Sequence, residues 1–499
     1  MSGLLFLFPV VYGLLALWMS GIRWFNHIDY FGSIGVDEVI YYKLVESVVR
    51  YGGPFGFFGA EESRALIGGH YAWSPLLYGF FIIWGALFGW SPTAPIVCNF
   101  VLMGAALACW YLLISPTKKQ LVRMLVLYMG CTYLTRYLFG TMVETTVSFL
   151  LILFGSFAIC YTWKRESKGI LIALFVISVL LVWMRPYFLG LVLLPVGFLF
   201  LKERKRKGVF LIGLMSPVLA LAGYALISKL FCASYFSGLW HNDWLILIKE
   251  HPFSGVLNIA MLFFSTVKEL LHRGGCAFFE EGFSEDAAFV ILLLFFVWKL
   301  YVSIKETNKK EIILWGGSLL LYLSMLLAVS LVYRLGDSYR HLNSLVVYGV
   351  FLFACCGFGE RHRRWDLLVI VSIIWVYFII GDFALENVSN SENLQIMDDG
   401  RVQLAEAMEM SAEADGWDNT MLWTYFYNGN KPVWWKGLYA VPAGTGLNLC
   451  TDGYIMENYG QLKARYIYLD ESDDLNGFLD EKGASCIASY GPARVWQIR

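Results

Sequence analysis

Charge is what this chain has least of. Of its 499 residues only 15% are Asp, Glu, Lys or Arg, 58% are hydrophobic, and the formal net charge is -1. With no basic excess, a nucleic-acid partner is excluded. No internal repeat and no low-complexity tract interrupts the sequence, which removes the usual mark of a transporter built from duplicated halves. The ten cysteines are scattered and nowhere adopt metal-ligand spacing. The first apolar block, Leu4 to Ile22, is followed by no small-residue cleavage site, so it reads as a retained helix and not as a removed signal peptide.

What is present is a series of long apolar blocks. Crossing the hydrocarbon takes ~20 apolar residues in a helix, because every backbone N–H and C=O has to be paired inside the segment. Such blocks recur as far as Leu385. Basic clusters at Lys164 to Lys168, Lys202 to Lys207, Lys305 to Lys310 and Arg361 to Arg364 are cytoplasmic by the positive-inside rule. Spans are then expected at about 142–163, 169–184, 187–201, 209–231, 287–304, 312–334, 342–358 and 366–385. Lys118, Lys119 and Arg123 mark one more cytoplasmic turn, between spans near 95–115 and 121–140. Pro75 to Trp90 is apolar over only 16 residues and has no basic flank. It reads as a re-entrant or interfacial helix inside one outer loop, 24–93. The expectation is an all-α polytopic membrane bundle of about eleven transmembrane helices over residues 1–385, N-terminus cytoplasmic, in the cell membrane, with outer loops at 24–93 and 232–286.

Residues 386–499 change character, and no further span appears there. Apolar spacing predicts a helix over 398–415, a strand over 464–470, a helix over 473–483 and strands over 484–490 and 494–498. This is a small C-terminal α/β domain facing outward. If that face is oxidising, Cys232 with Cys276 and Cys450 with Cys486 are candidate disulfides. Cys98, Cys109, Cys131, Cys160, Cys355 and Cys356 read as small buried hydrophobes within spans.

Carboxylates at a bilayer edge are functional candidates by default. Asp37 and Glu38 open an amphipathic stretch that runs through Tyr41 to Val49 along the outer surface. Helix capping explains one carboxylate in a first turn. Two of them, in a loop that also holds Glu46, Glu61, Glu62 and His70, suit a base with its orienting partner, or a divalent cation such as Mg2+ or Mn2+. Glu144, in the segment Arg136 to Thr146 at the outer junction of two spans, either faces lipid headgroups or joins the acidic pair in one cavity. Arg185, Arg334, Arg340 and His341 fall on the same side. Singly each reads as an interface anchor; together they suit a phosphorylated lipid, since arginine grips phosphate with two parallel hydrogen bonds and keeps its charge. The polar residues of loop 232–286, among them His241, Asp243, His272 and Arg273, read as solvated.

These segments resemble the GT-C superfamily of polytopic membrane glycosyltransferases, the group of oligosaccharyltransferases, protein O-mannosyltransferases and lipid A aminoarabinose transferases. The likeness rests on Asp37-Glu38 with Tyr41, on His70 to Leu76 ahead of a short apolar block, on Arg136 to Glu144, on Arg185-Pro186-Tyr187 and on the soluble outer domain. It implies a GT-C-like bundle and a polyprenyl-phosphate or polyprenyl-diphosphate sugar donor, with a cell-envelope polysaccharide, teichoic acid, lipid or protein as acceptor. It makes Asp37 the base or acceptor-orienting carboxylate with Glu38 beside it. Glu144 takes the second acidic position, where many relatives have Asp, and Asp37 with Glu144 is the pair to which a metal would bind. Arg340 and His341 then lie against the donor phosphate, with Arg185 and Arg334 as further phosphate ligands and Tyr41, His70 and Arg136 toward the substrate. Two other readings remain. A transporter or flippase for a lipid-linked sugar keeps its ionisable residues near mid-membrane; a non-catalytic membrane subunit has no need of Asp37.

Overall fold

The structure is a computed structural model that describes residues 1–20, 36–53, 59–62, 74–202, 207–231, 243–332, 335, 339–359, 362–379, 391–408, 417–424, 426–427, 431–432 and 434–498. Helix α1 (Ser2–Met19) precedes the amphipathic α2 (Val36–Tyr51), the two-residue strand β1 (Gly59–Ala60) and the short α3 (Gly79–Phe88). The bundle continues through α4 (Ala94–Ile114), α5 (Lys118–Gly130), α6 (Thr132–Gly140), α7 (Val143–Trp163), α8 (Lys168–Met184), α9 (Leu189–Lys202) and α10 (Lys207–Phe231). It closes with α11 (Asp243–Glu250), α12 (Pro252–Cys276), α13 (Ser284–Lys305), α14 (Lys309–Leu331), α15 (Tyr339–Cys356) and α16 (Arg363–Ile374).

Among the described residues seven helices are long and apolar enough to cross a membrane: α1, α4, α7, α10, α12, α13 and α14. The shorter apolar helices α8, α9 and α15 run beside them. The chain is thus a multi-pass helical membrane protein, but its helices depart from the expected eleven uninterrupted spans in three places. The segment 121–140 is two helices, α5 and α6, parted at Cys131 (φ -85, ψ 77). The one at 366–385 is the 12-residue α16 closed by a π turn over Trp375–Ile379. Third, the supposed outer loop 232–286 contains the 25-residue α12, itself long and apolar enough for a span. Its stripe packs on α13 and α14, and Lys268, Glu269, His272 and Arg273 hide that stripe from a search for unbroken apolar runs.

Helix ends follow local chemistry. A capping box between Thr117 and Gln120 opens α5, and Ser167 and Asn308 cap α8 and α14. At the end of α7 the Trp163 Nε1–H donates to Glu311 of α14 at 2.9 Å, so the basic turns 164–168 and 305–310 lie at one end of the bundle. A Cβ on Gly104 would collide with the Phe6 carbonyl, which is why α1 and α4 approach so closely there. Helix α7 sits at the centre, the most buried of the seven candidate spans. Helix α3 has only ten residues, about 15 Å. That is too short to cross the hydrocarbon by itself.

The C-terminal part holds α17 (Ser391–Ala407), α18 (Asp452–Asn458) and α19 (Leu475–Glu481) around strands β2 (Thr420–Thr424), β5 (Gly446–Cys450), β6 (Tyr466–Asp470), β7 (Ser485–Tyr490) and β8 (Ala493–Gln497), with a small pair β3 (Phe426–Tyr427) and β4 (Lys431–Pro432) beside them. The main sheet has six strands in the order β1-β5-β2-β6-β8-β7, parallel from β1 to β6 and antiparallel after it. Its edge strand β1 comes from the segment between α2 and α3. Glu62, beside it, accepts from the Lys463 and Ala464 N–H groups at 2.7 and 2.8 Å, while its own N–H donates to Asn448 Oδ1 at 3.0 Å. Glu62 therefore ties this segment to the C-terminal sheet.

The sheet order also rules out one of the two candidate disulfides. Cys450 on β5 and Cys486 on β7 are both free, separated by β2, β6 and β8. Four strand spacings amount to about 19 Å, far beyond disulfide reach. Cys276 is free as well, and Cys232 lies outside the described residues.

Two predictions follow from this packing. Glu62→Ala strands two backbone donors and should lower the stability of the docked loop by roughly 1–3 kcal/mol, read as earlier proteolysis within residues 54–73 and a lower melting temperature. Burial, reinforced by the neighbouring acids Asp452, Asp474 and Asp470, pushes Asp473 up to about 6 from 3.8. Because the folded value is the higher one, the stability linked to this group is complete below pH 3.8 and fades as pH rises through about 6. Asp473→Asn keeps the cap to the Leu475 N–H and should flatten melting temperature against pH over that window.

Candidate active site at one end of the bundle

Two interruptions of helix build the site. Between α6 and α7 Thr141 is extended (φ -140, ψ 134), and no side chain of α7 itself caps the helix. The N–H groups at its start need acceptors. Glu38 of α2 supplies one, its Oε2 accepting from the Met142 N–H at 3.0 Å. Asn99 of α4 braces the same junction by donating to the Leu138 and Thr141 carbonyls at 3.0 and 2.9 Å. At the end of α8 Arg185 precedes proline and is extended (φ -150, ψ 120), as a residue before proline prefers. The helix stops there and the guanidinium turns into the bundle.

Glu144, in the first turn of α7, meets that guanidinium. Arg185 Nη2 lies 2.7 Å from Oε1 and Nη1 lies 3.1 Å from Oε2, a forked pair with both side chains almost completely buried. Ser344 Oγ of α15 donates to the same carboxylate at 2.9 Å. Arg185 Nη1 also donates to the Tyr187 hydroxyl at 3.0 Å, and that hydroxyl lies 3.0 Å from His341 Nδ1. One turn away Arg340 Nη2 bonds Asp37 Oδ2 at 2.8 Å, and here both partners are partly open, 21% and 29% exposed. Tyr41 is buried on α2 with its ring 5.7 Å from that of Tyr78. Burial first, then the charges of Asp37 and Glu38, raises its phenol well above the usual value, so it stays a neutral hydroxyl.

Of the residues singled out from sequence, the structure brings together Asp37, Glu38, Tyr41, Glu144, Arg185, Arg340 and His341. Asp37 and Glu144 are on the same side of the bundle, which the reading of 24–93 as a single loop requires. Arg136 is not in this group: it stacks on Tyr133 at 5.5 Å and lies near Glu285 in the first turn of α13. His70 and Arg334 lie outside the described residues. Ser344 and Asn99 escaped the sequence reading. Ser344 carried a signal, being three and four positions from His341 and Arg340, on one helix face; Asn99 carried none.

Metal binding by Asp37 and Glu144 does not fit this donor set. Both Glu144 oxygens already accept from Arg185, one of them from Ser344 also, and a cation would have to displace the forked arginine. Among the described residues no three His, Cys, Asp or Glu side chains are grouped as metal ligands. Beside Tyr187, by contrast, lies an apolar cavity of about 430 Å3 lined by Leu189, Tyr224, Trp244, Leu327 and Leu331. Polar and apolar recognition thus meet at one tyrosine.

Breaking a buried ion pair leaves one charge without compensation. Arg185→Ala or Glu144→Gln should therefore lower stability by about 3–5 kcal/mol, whereas Ser344→Ala, which removes a single hydrogen bond, should cost about 1–3 kcal/mol. Thermal unfolding of the detergent-solubilised protein distinguishes the two classes.

No protein-family model matches the chain, and no curated protein matches it in sequence. Among solved structures it is similar to ArnT from Cupriavidus metallidurans bound to undecaprenyl phosphate, with a TM-score of 0.51 and 9% identity over 99% of this chain and 97% of that one. Apo ArnT from the same organism gives a TM-score of 0.47 at 10% identity, covering 99% and 97%. The Archaeoglobus fulgidus oligosaccharyltransferase, in complex with Zn and sulfate, gives 0.49 at 12% identity, covering 97% and 72%. At such identities the likeness concerns the fold alone, an apolar helical bundle with a smaller sheet-bearing part.

Proposed function

We propose that this protein is a membrane glycosyltransferase that moves a sugar from a polyprenyl-phosphate-linked donor to a cell-envelope acceptor on the outer face, with inversion at the anomeric carbon. The observation that carries this reading is the Asp37–Arg340 pair, a half-open carboxylate and guanidinium at 2.8 Å, at the end of the bundle where the apolar cavity opens beside Tyr187. The shared fold with a protein crystallised on undecaprenyl phosphate supports a carrier-lipid donor. The outer placement of this end rests on the basic turns 164–168 and 305–310 at the opposite end.

The chemistry needs a proton acceptor and a partner for the departing phosphate. In the proposed step Asp37 takes the proton of an acceptor hydroxyl as that oxygen bonds to the anomeric carbon. The bond from that carbon to the phosphate oxygen breaks, and polyprenyl phosphate leaves with the electron pair. Arg340 links the two events. In the resting pair its charge balances Asp37; once Asp37 is protonated, the guanidinium is released to the phosphate, where negative charge has just developed. The cavity beside Tyr187 takes the first isoprene units of the lipid. Glu144 and Arg185 act one layer further in: they fix α7, α8 and α15 and hold Tyr187 and His341 in place. A polar cleft of about 470 Å3 between α2 and the outer domain, lined by Glu46, Arg50, Tyr51 and Arg401, lies on the approach open to an acceptor.

Asp37→Asn conserves size and removes basicity. It should cut release of polyprenyl phosphate from a labelled lipid-linked sugar pool by about 10²–10⁴-fold with normal membrane insertion, and Arg340→Gln should lower turnover comparably. Full activity of Asp37→Asn would sink this reading. Movement of labelled lipid between leaflets, with no phosphate released by the wild type, would establish a transporter in its place. Since no step uses a metal, a chelator should leave the rate unchanged.

A further inference from the structure

At the end of the bundle away from Asp37, α13 and α16 do not close on one another. Helix α16 is held elsewhere: Asp366 Oδ2 bonds Arg123 Nη2 of α5 at 2.6 Å, both side chains buried, and Gly130 of α5 seats Ile374 where any Cβ would collide. With α16 drawn toward α5, its other face stands off α13. The result is a cleft of about 420 Å3 lined by Ile291, Leu294 and Trp298 on one wall and by Trp365, Leu368 and Ser372 on the other. Trp365 and Leu368 are 56% and 52% exposed, so the cleft opens sideways from the bundle. Its deep part is apolar. Its mouth is aromatic, the His362 ring lying 5.5 Å from that of Trp298; Arg363 and Arg364, both exposed, follow in the first turn of α16 outside the lining of the cleft. Arg364 is on the stripe of Leu368 and Ser372, one turn below the cleft wall. Asp366, the neighbouring described carboxylate, faces the other way, its oxygens accepting from Arg123 and from the Phe358 N–H.

From this arrangement we infer that the cleft between α13 and α16 is a binding site for one anionic phospholipid of the leaflet opposite the active site. An acyl chain lies between Leu294 and Leu368, and the phosphate-bearing headgroup reaches His362, Arg363 and Arg364. An apolar slot alone would accept any lipid chain. The exposed arginines at the start of α16, within side-chain length of the cleft, with Asp366 consumed by Arg123, select a headgroup of net negative charge over a zwitterionic one. Tryptophans on both walls sit where amphipathic rings favour the headgroup level. The occupant is a phospholipid rather than the sugar donor, because the polar network around Tyr187 lies at the other end of α15. The inference uses only the multi-pass membrane character of the chain and is independent of the transferase reading.

The test is native mass spectrometry of the full chain in detergent, offered phosphatidylglycerol or phosphatidylcholine with identical acyl chains, and polyprenyl phosphate in a third sample. With about 1 kcal/mol per arginine near the surface, retention of phosphatidylglycerol should exceed that of phosphatidylcholine roughly thirtyfold. The double substitution Arg363→Gln, Arg364→Gln, on exposed positions, should bring that ratio close to one. Leu368→Trp, which fills the slot from a lipid-facing position, should reduce retention of both lipids. Equal retention by the wild type, a preference that survives the arginine substitutions, or binding unaffected by Leu368→Trp would each overturn the inference, as would polyprenyl phosphate displacing phosphatidylglycerol from the wild type but not from Leu368→Trp.

Discussion

A carboxylate within a membrane bundle has to be matched, and the fork of Arg185 on Glu144 is the match on which the candidate site depends. Each partner comes from a helix end that the chain cannot place alone. Glu144 is at the start of α7, opened by the extended Thr141, and Arg185 is at the end of α8, stopped by Pro186. Ser344 brings in α15, and Tyr187 carries the network to His341. Separating any of these helices would leave a desolvated charge, which costs more than the pairing itself contributes. The ion pair therefore acts as a locator: it fixes three helices relative to one another at the depth where Arg340 can meet Asp37.

Asp37 reaches that position through its neighbour. Glu38 points inward and caps α7, so the adjacent carboxylate is carried to the rim, partly exposed and held by Arg340. The acidic pair divides into one structural and one accessible group. Helix α2, which bears both, is gripped from above by the outer domain: Lys43 is buried with Glu46 and the Val441 carbonyl as partners, and the Tyr51 hydroxyl donates to the Ala443 carbonyl at 3.2 Å. Burial, the largest influence on Lys43, pushes its pKa down. Together with β1 in the six-stranded sheet, these contacts make the outer domain part of the wall of the site.

The opposite end is built with the same economy of charge. Arg123 and Asp366 pair in a buried position and draw α16 to α5, and the basic residues of the turns remain at the surface. Few ionisable groups lie in between, as the cost of burying them in hydrocarbon requires. Among the described residues the buried ion pairs lie near the two ends, and the length between them is occupied by hydroxyl pairs such as Ser318 with Tyr348 at 2.9 Å and by close helix contacts such as Gly104 against Phe6.

The sequence by itself determined the class of protein, most of the apolar helices and the strands at 466–470, 485–490 and 493–497. These depend on local quantities: run length, the alternation of apolar residues and the placement of Lys and Arg. It also singled out Asp37, Glu38, Glu144, Arg185, Arg340 and His341, which the packing of the helix ends brings together. Tertiary structure alone decided who pairs with whom. That Arg185 serves Glu144, that Arg340 serves Asp37, that Glu62 fastens a loop to the outer sheet and that Cys450 and Cys486 stand on separated strands are contacts between residues tens to hundreds of positions apart. No periodicity encodes them. They follow from where the helix ends come to rest, and a buried charge then takes the one partner that the packing leaves within reach.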